Sequence, residues 1–480
     1  MGGLYKSVLS GVFLLIVLNS SLATAQAEET AVYTITIDYV VQNVGPNTAL
    51  DSQALIVLFD NFSGWASQEV ISEQITVDGT PVLPQIFSTD DNRWTIISLG
   101  NLGPGESKTI SVAHVLKVSS VDLSVNPNSV GTTFPPELDL YTVPVDGLYE
   151  SDNPAIQSLA QQLTDGITNP YYKAKRVFDY LMENLDYQLQ QTEHGALWGL
   201  QMGKGDCTEF SNLFIALVRA VGIPAKSISG FGYLALYTPE TGKDIKELGH
   251  AWSIFYLPGY GWAPADAVWP QHIGSFGKMD YAHIVGAVTD GRDAVNEQGE
   301  IVWRSPKYIE RKWKYYKGEP TQLDGSVSGS IVPEVLLDVG LQVSPLIEND
   351  MLRLTATIKN IGQSSVSNLT AVLEVDPSYF EVVSSPQHRN NLASGEDWQT
   401  SFDVQLKENA YDNKHIFTSR VTYDSSYGIT GGTFLAVGET LVSIPPKPAM
   451  PQQVHDLMLL ALVATLFGAI VALGVVLARR

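Results

Sequence analysis

Residues 31–39, Ala31-Val32-Tyr33-Thr34-Ile35-Thr36-Ile37-Asp38-Tyr39, alternate apolar with polar or β-branched side chains, the period of a half-buried strand. Shorter runs follow at Ala54 to Leu58, Trp94 to Ser98 and Lys108 to Val115. Clusters of Gly, Pro, Asn and Asp separate them, among them Asn43-Val44-Gly45-Pro46-Asn47 and Asn101-Leu102-Gly103-Pro104-Gly105. Several short strands at this spacing predict a β-sandwich over 30–130.

The period then changes. Asn169-Pro170 reads as an N-cap with proline at the first helical position, and Ala174, Val177, Leu181 and Leu185 recur at helical spacing. A second helix is predicted from Asp206 to Val221, with Phe210, Leu213, Leu217 and Val221 on one face, Gly222 at C′ and Pro224 beyond it. Strand-like runs follow at Ala225 to Gly230, Ala251 to Tyr256 and Gly261 to Pro264. Helices followed by strands predict an α+β domain over 140–320. Thr321 to Ser330, rich in Gly and Ser, reads as a linker. Alternation returns over 335–444, as in Leu352-Arg353-Leu354-Thr355-Ala356-Thr357-Ile358-Lys359, and predicts a second β-sandwich with Asn360-Ile361-Gly362 as a turn. No close repeat between the two β regions is evident in the sequence.

Both ends carry apolar segments of a different kind. Lys6, the run Val8 to Leu18 and Ala23-Thr24-Ala25 form the pattern of a signal peptide over 1–25. Leu457 to Ala478 has no charged residue and is followed by Arg479 and Arg480, so a transmembrane helix over 457–478 is expected, its arginines cytoplasmic. The proline-rich 445–456 reads as a stalk. This arrangement predicts a cell-membrane protein with a single span and its N-terminal ectodomain outside the cytoplasm.

Charge and cysteine count sharpen that picture. The formal net charge of -22 argues against nucleic acid as a partner. A single cysteine, Cys207, cannot form an intramolecular disulfide, and a lone thiol outside the cell is exposed to oxidation, so it calls for a function. Asp206 and Glu209 form a capping-box pattern that places Cys207 in the first helical turn. There free N–H groups favour a thiolate and could hold an oxyanion. His250, in Gly249-His250-Ala251-Trp252, stands at the start of a strand as the candidate base. Asp266, after Gly261-Trp262-Ala263-Pro264, is the candidate third group that orients the imidazole. Trp198 and Tyr187 are upstream candidates for an oxyanion donor or the cleft wall, and Trp252, Trp262 and Trp269 for packing the sheet or lining the cleft. No Cys-x-x-Cys or His-x-x-x-His pair occurs, so neither metal nor cofactor is expected.

These motifs, Gly205-Asp206-Cys207-Thr208-Glu209-Phe210, Leu217 through Lys226, His250-Ala251-Trp252 and Gly261 through Asp266, occur in the order found in the transglutaminase-like superfamily, which the chain resembles over roughly 150–290. The resemblance implies a papain-like core with Cys207 as nucleophile, His250 as general base and acid, and Asp266 as orienting residue. The family's usual Asp-Pro-Thr is here Asp266-Ala267-Val268. Residues 335–444 resemble the Ig-like, CARDB-like spacer modules of prokaryotic surface proteins. The fold class expected is therefore multidomain: a transglutaminase-like α+β core, two flanking β-sandwiches and a C-terminal transmembrane helix. The implied chemistry is acyl transfer from peptide or isopeptide amides through a thioester, with a protein or peptide, cell-envelope proteins included, as substrate. Hydrolysis is the default because water is always present. A cross-linking transglutaminase and a catalytically silent adhesion or scaffold protein are the alternatives.

Overall fold

In the computed structural model, β1 (Thr30–Asn43) opens a sheet that the chain completes only three hundred residues later. The structure describes residues 29–447 apart from 90, 234–242, 269–274, 296–300, 305–310, 315–316, 345–348 and 426–431. The expected signal peptide, the transmembrane helix and most of the stalk lie outside the described residues. Among the described residues no helix is long and apolar enough to cross a membrane.

After β1 come β2 (Ala49–Leu58), β3 (Ser67–Val77), β4 (Asn92–Leu102) and β5 (Ser107–Ser119). Next is an α/β unit holding α1 (Pro154–Thr164), α2 (Pro170–Asn184), α3 (Ala196–Met202) and α4 (Cys207–Ala220). Its strands are β6 (Ala225–Gly232), β7 (Gly249–Leu257), β8 (Gly261–Asp266), β9 (Ser275–Phe276) and β10 (His283–Thr289), in the antiparallel order β9-β8-β7-β6-β10. The apolar face of α4 (Leu213, Leu217) packs with α1, α2 and the sheet in one buried cluster. The N-caps read from the sequence are present: Asn169 Oδ1 accepts from Tyr171 N, and Pro170 opens α2.

The chain then returns to the first sheet through β11 (Arg311–Lys314) and β12 (Leu323–Val335). β12 lies antiparallel to β1 along its whole length, from Asn43↔Leu323 to Val32↔Val335, and β11 pairs with β2. The Gly/Ser-rich segment is therefore a strand, not the expected linker. Its small residues hid the alternation: Val327, Ile331 and Val335 point inward and are buried, while Gly329 makes room for Ile245, which a Cβ there would crowd at 3.0 Å. The α/β unit is thus inserted between β5 and the strands that complete the first β module.

The second β module holds β13 (Leu337–Val343), β14 (Met351–Asn360), β15 (Val366–Glu374), β16 (Phe380–Val382), β17 (Gln387–Leu392), β18 (Asp397–Leu406), β19 (Asn413–Ser425) and β20 (Gly432–Ile444). Its sheets, β13-β14-β18-β16 and β17-β15-β19-β20, bury their facing sides in one cluster. The first module has the same strand neighbours: β12-β1-β5-β3 in one sheet and β11-β2-β4 in the other. The likeness extends to individual atoms. Asn43, fully buried, donates from Nδ2 to the carbonyls of Asn47 and Leu102 and accepts from Gly45 N at 3.1 Å. Asn360, also fully buried, donates to Ser364 and Leu392 and accepts from Gly362 N at 3.1 Å. Glu106 and Glu396 close the facing turns by accepting from Gly103 N and Ala393 N. The two β regions are therefore structural repeats, correcting the sequence reading.

The first module also grips the inserted unit. Gln68 exchanges two hydrogen bonds with the backbone of Val285 and Asn92 two with Val288, so side-chain amides satisfy the outer edge of β10.

Each buried asparagine satisfies two carbonyls, so Asn43→Ala or Asn360→Ala should lower unfolding free energy by at least about 1–3 kcal/mol. Substitution by Asp should be no better, because a carboxylate cannot donate. Urea melts showing wild-type stability for either variant would contradict the shared-turn account.

Candidate active site

The capping box at the start of α4 sets the position of Cys207. Asp206 accepts from Thr208 N at 3.0 Å and from the N–H of Glu209, while Glu209 Oε2 accepts from Asp206 N at 2.8 Å. Glu209 is fully buried and also accepts from His194 N, tying the cap to the loop before α3. Gly205 is required here, since a Cβ would sit 2.3 Å from Cβ of Glu209. The cap consumes the N–H groups of Thr208 and Glu209 as oxyanion donors and leaves Cys207's own N–H as the donor at the helix start that it does not engage. Cys207 is half-buried, while the acids of the cap lie beside it.

His250 enters from β7, opposite Gly230 of β6. That glycine is another close approach: a Cβ would meet the Ile284 carbonyl at 2.0 Å and the Trp252 ring at 3.0 Å. Trp252 stacks on His250 with ring centroids 5.7 Å apart. Asp266 ends β8, which pairs with β7 as the sequence suggested. His250 and Asp266 meet as the sequence suggested, with Nε2 2.7 Å from Oδ2, and Cys207 is near enough to act on the imidazole electrostatically. With Nε2 occupied by the carboxylate, Nδ1 is the nitrogen left for sulfur. His250 and Asp266 are 8% and 2% exposed, so water does little to screen them. Val268 N donates to Asp266 Oδ1 at 2.8 Å and fixes the carboxylate's second oxygen.

Sequence reasoning missed two members of the site. His283, the first residue of β10, places Nε2 3.2 Å from Asp266 Oδ2, the oxygen that His250 also uses. Its Nδ1 is 2.8 Å from Asp280 Oδ1. The available signal was a histidine in an otherwise apolar strand with an aspartate three residues earlier.

The electrostatics follow from this packing. Burial alone would push the His250 imidazolium down; the Asp266 carboxylate and then Cys207 reverse that and hold its pKa up at about 10. Burial would raise Asp266, yet His250 and then His283 hold its carboxyl well below the usual range. His283 is likewise raised, burial being outweighed by Asp280 and Asp266. Burial, then Cys207 and Asp206, push the Tyr187 phenol up to about 12, so this upstream residue presents a protonated hydroxyl near the thiol. Trp198 instead stacks on His194 at 4.0 Å. Trp269 lies outside the described residues. His250, Asp266 and His283 have ligand-type atoms within 4.8 Å of one another, which a metal ion could use. As folded, the Nε2 atoms of both histidines are instead donors to Asp266 Oδ2.

Residues 157–267 match the model of the transglutaminase-like superfamily, a span containing Cys207, His250 and Asp266 but not Asp280 or His283. An uncharacterised protein of Haemophilus influenzae is 28% identical over 161 residues, 27% of this chain and 44% of that one. The uncharacterised protein YebA of Bacillus subtilis is 27% identical over 129 residues, 22% of this chain and 16% of that one. The chain thus spans less than half the length of the curated relatives it matches. Among solved structures, one described as a candidate cysteine protease from Cytophaga hutchinsonii aligns with 64% of this chain and 92% of its own at 17% identity and a TM-score of 0.42. Red sea bream transglutaminase aligns with 85% and 95% at 10% identity and a TM-score of 0.25. The inserted unit is a domain of the transglutaminase-like superfamily.

The buried pair makes stability depend on pH in a defined direction. The raised His250 stabilises the fold fully below its ordinary value of 6.5, and that contribution is lost as pH rises through about 10. The lowered Asp266 contributes above its ordinary 3.8 and loses that contribution as pH falls through its folded value. The melting-temperature gap between wild type and Asp266→Asn should therefore be largest between about 4 and 6.5 and shrink on both sides. A gap independent of pH would contradict the ion pair.

Proposed function

We propose that this protein is an extracytoplasmic thiol enzyme that transfers acyl groups from peptide or isopeptide amides, with water as the usual acceptor. What supports the reading is the buried His250–Asp266 pair acting on Cys207 at the first turn of α4. In this mechanism the sulfur of Cys207, its proton already held on His250, adds to the amide carbonyl, and the N–H of Cys207 supports the developing oxyanion. His250 then returns the proton to the departing amine, leaving a thioester on Cys207. Asp266 keeps the imidazole in the tautomer whose Nδ1 faces sulfur and stabilises it when charged. Water, activated by the same imidazole, resolves the thioester and regenerates the thiol.

The acidic exterior, the signal-like N-terminus and the apolar C-terminal segment support a site held outside the cytoplasm on a membrane anchor. In this reading the β modules are spacers that carry the enzyme away from the membrane, and the substrate is a protein or peptide of the envelope. A cross-linking acyltransferase would use the same triad with an amine in place of water, and a silent scaffold would keep the fold without reactivity.

Alkylation by iodoacetamide separates these readings. Cys207 should label faster than a free thiol at neutral pH, and His250→Ala should slow labelling by about 10²-fold or more. Equal rates in both proteins would favour the scaffold. Incorporation of a fluorescent amine into a glutamine-bearing acceptor, abolished by Cys207→Ala, would assign the cross-linking reaction instead of hydrolysis.

A further inference from the structure

Asp266 Oδ2 has two imidazoles on it, and the mechanism above uses one. The other, His283, is 2% exposed and has a carboxylate oxygen at each ring nitrogen: Asp266 at 3.2 Å and Asp280 at 2.8 Å. An ionised carboxylate only accepts hydrogen bonds. A neutral imidazole has a single N–H and would turn a lone pair towards one of the two oxygens, in a buried place where that repulsion is not screened. Two facing carboxylates therefore call for two N–H groups. From this geometry we propose that His283 is a positioning residue, a permanently protonated imidazole braced by Asp280 that holds Asp266 ionised and aimed at His250. The proposal rests on the triad reading of Cys207, His250 and Asp266 and adds a fourth and a fifth member to it.

The surroundings of His283 are consistent with a fixed cation. Trp252 of β7 packs edge-on to its ring with centroids 5.1 Å apart, and Gly232 of β6 is its strand neighbour. The charged or titratable groups around the cluster are Asp266 from β8, Asp280 from the turn before β10, His250 from β7 and Cys207 from α4. The phenols of Tyr33 and Tyr281 stand near Asp280, and that of Tyr187 acts on Asp266. Asp280 is itself pinned, since its Oδ1 also accepts from Ala282 N at 2.9 Å. The strand that carries His283 is held on its outer edge by Gln68 and Asn92, so the first β module fixes the far end of the relay.

Two consequences follow for the reaction. Asp266 divides one oxygen between two N–H donors, which weakens its bond to the Nε2–H of His250, makes that ring less basic and leaves its Nδ1 proton easier to deliver to a leaving amine. A second positive charge, with its ring 5.6 Å from that of His250, also lowers the affinity of the whole cluster for further protons. Removing it should raise the pH at which the site becomes active.

The direct test is 15N NMR of the full-length protein labelled at histidine. His283 should show two protonated ring nitrogens from pH 5 to 9, and Asp280→Asn should let one of those protons leave within that range. His283→Gln keeps a donor for Asp266 but loses the charge. In it, the pH midpoint of Cys207 alkylation should move up by about half a unit or more, with slower reaction at pH 7 that recovers at higher pH. A single protonated nitrogen on His283 at pH 7 in the wild type overturns the proposal even if the glutamine variant does not fold, and so does an unmoved midpoint in a folded His283→Gln. If wild-type Cys207 is inert while His283 is doubly protonated, the ion clamp stands and the proposed enzyme activity fails.

Discussion

One buried carboxylate organises the candidate site of this molecule. Asp266 accepts His250 and His283 on one oxygen and Val268 N on the other, at the end of a strand where water cannot compete. A charge so placed is costly unless every lone pair is answered, and breaking such a set by removing one partner is far more damaging than never having built it. The surrounding sequence reflects that constraint. Gly230 lets Trp252 close over the histidines, Gly205 lets the Glu209 cap fold beneath the cysteine, and the Gln68 and Asn92 amides hold β10, which carries His283.

The insertion explains how the cluster is kept rigid. An α/β unit placed between β5 and β11 has both of its chain ends held by strands of one β module, so its freedom relative to that module is small. The core of that module is continuous with the inserted unit through Phe231, Tyr233, Ile245, Leu248 and Ile284. The second module repeats the strand neighbours and the asparagine turn without an insertion, which identifies the first as the same building block opened to receive a domain.

Local features were legible in the sequence, and distant ones were not. The Asn169-Pro170 start, the Asp206–Glu209 capping box and the Gly222 terminus depend on neighbours within a turn, and all appear as read. The pairing of His250 with Asp266 was readable because a single hairpin separates them. The pairing of Asn43 with Leu323 spans 280 residues, and the serines and glycines of β12 masked its inward alternation, so it read as a linker. His283 and Asp280 escaped for another reason. Their role arises from the β6–β10 pairing, and a histidine in an apolar strand is by itself more often a packed core residue. The repeat was hidden because the matching residues are confined to two short turns, Asn43-Val44-Gly45 with Asn360-Ile361-Gly362 and Asn101 to Glu106 with Asn391 to Glu396.

The central claim is that Cys207 carries an acyl group under the control of His250 and Asp266. It is tested most directly by acid-quenching the protein a few seconds after mixing with p-nitrophenyl acetate and locating the adduct by mass spectrometry. The account predicts one acetyl group per chain on Cys207, formed in a burst of p-nitrophenol and lost again as water resolves it. Acetylation confined to lysines or the chain terminus, with Cys207 unmodified in folded protein, would contradict it.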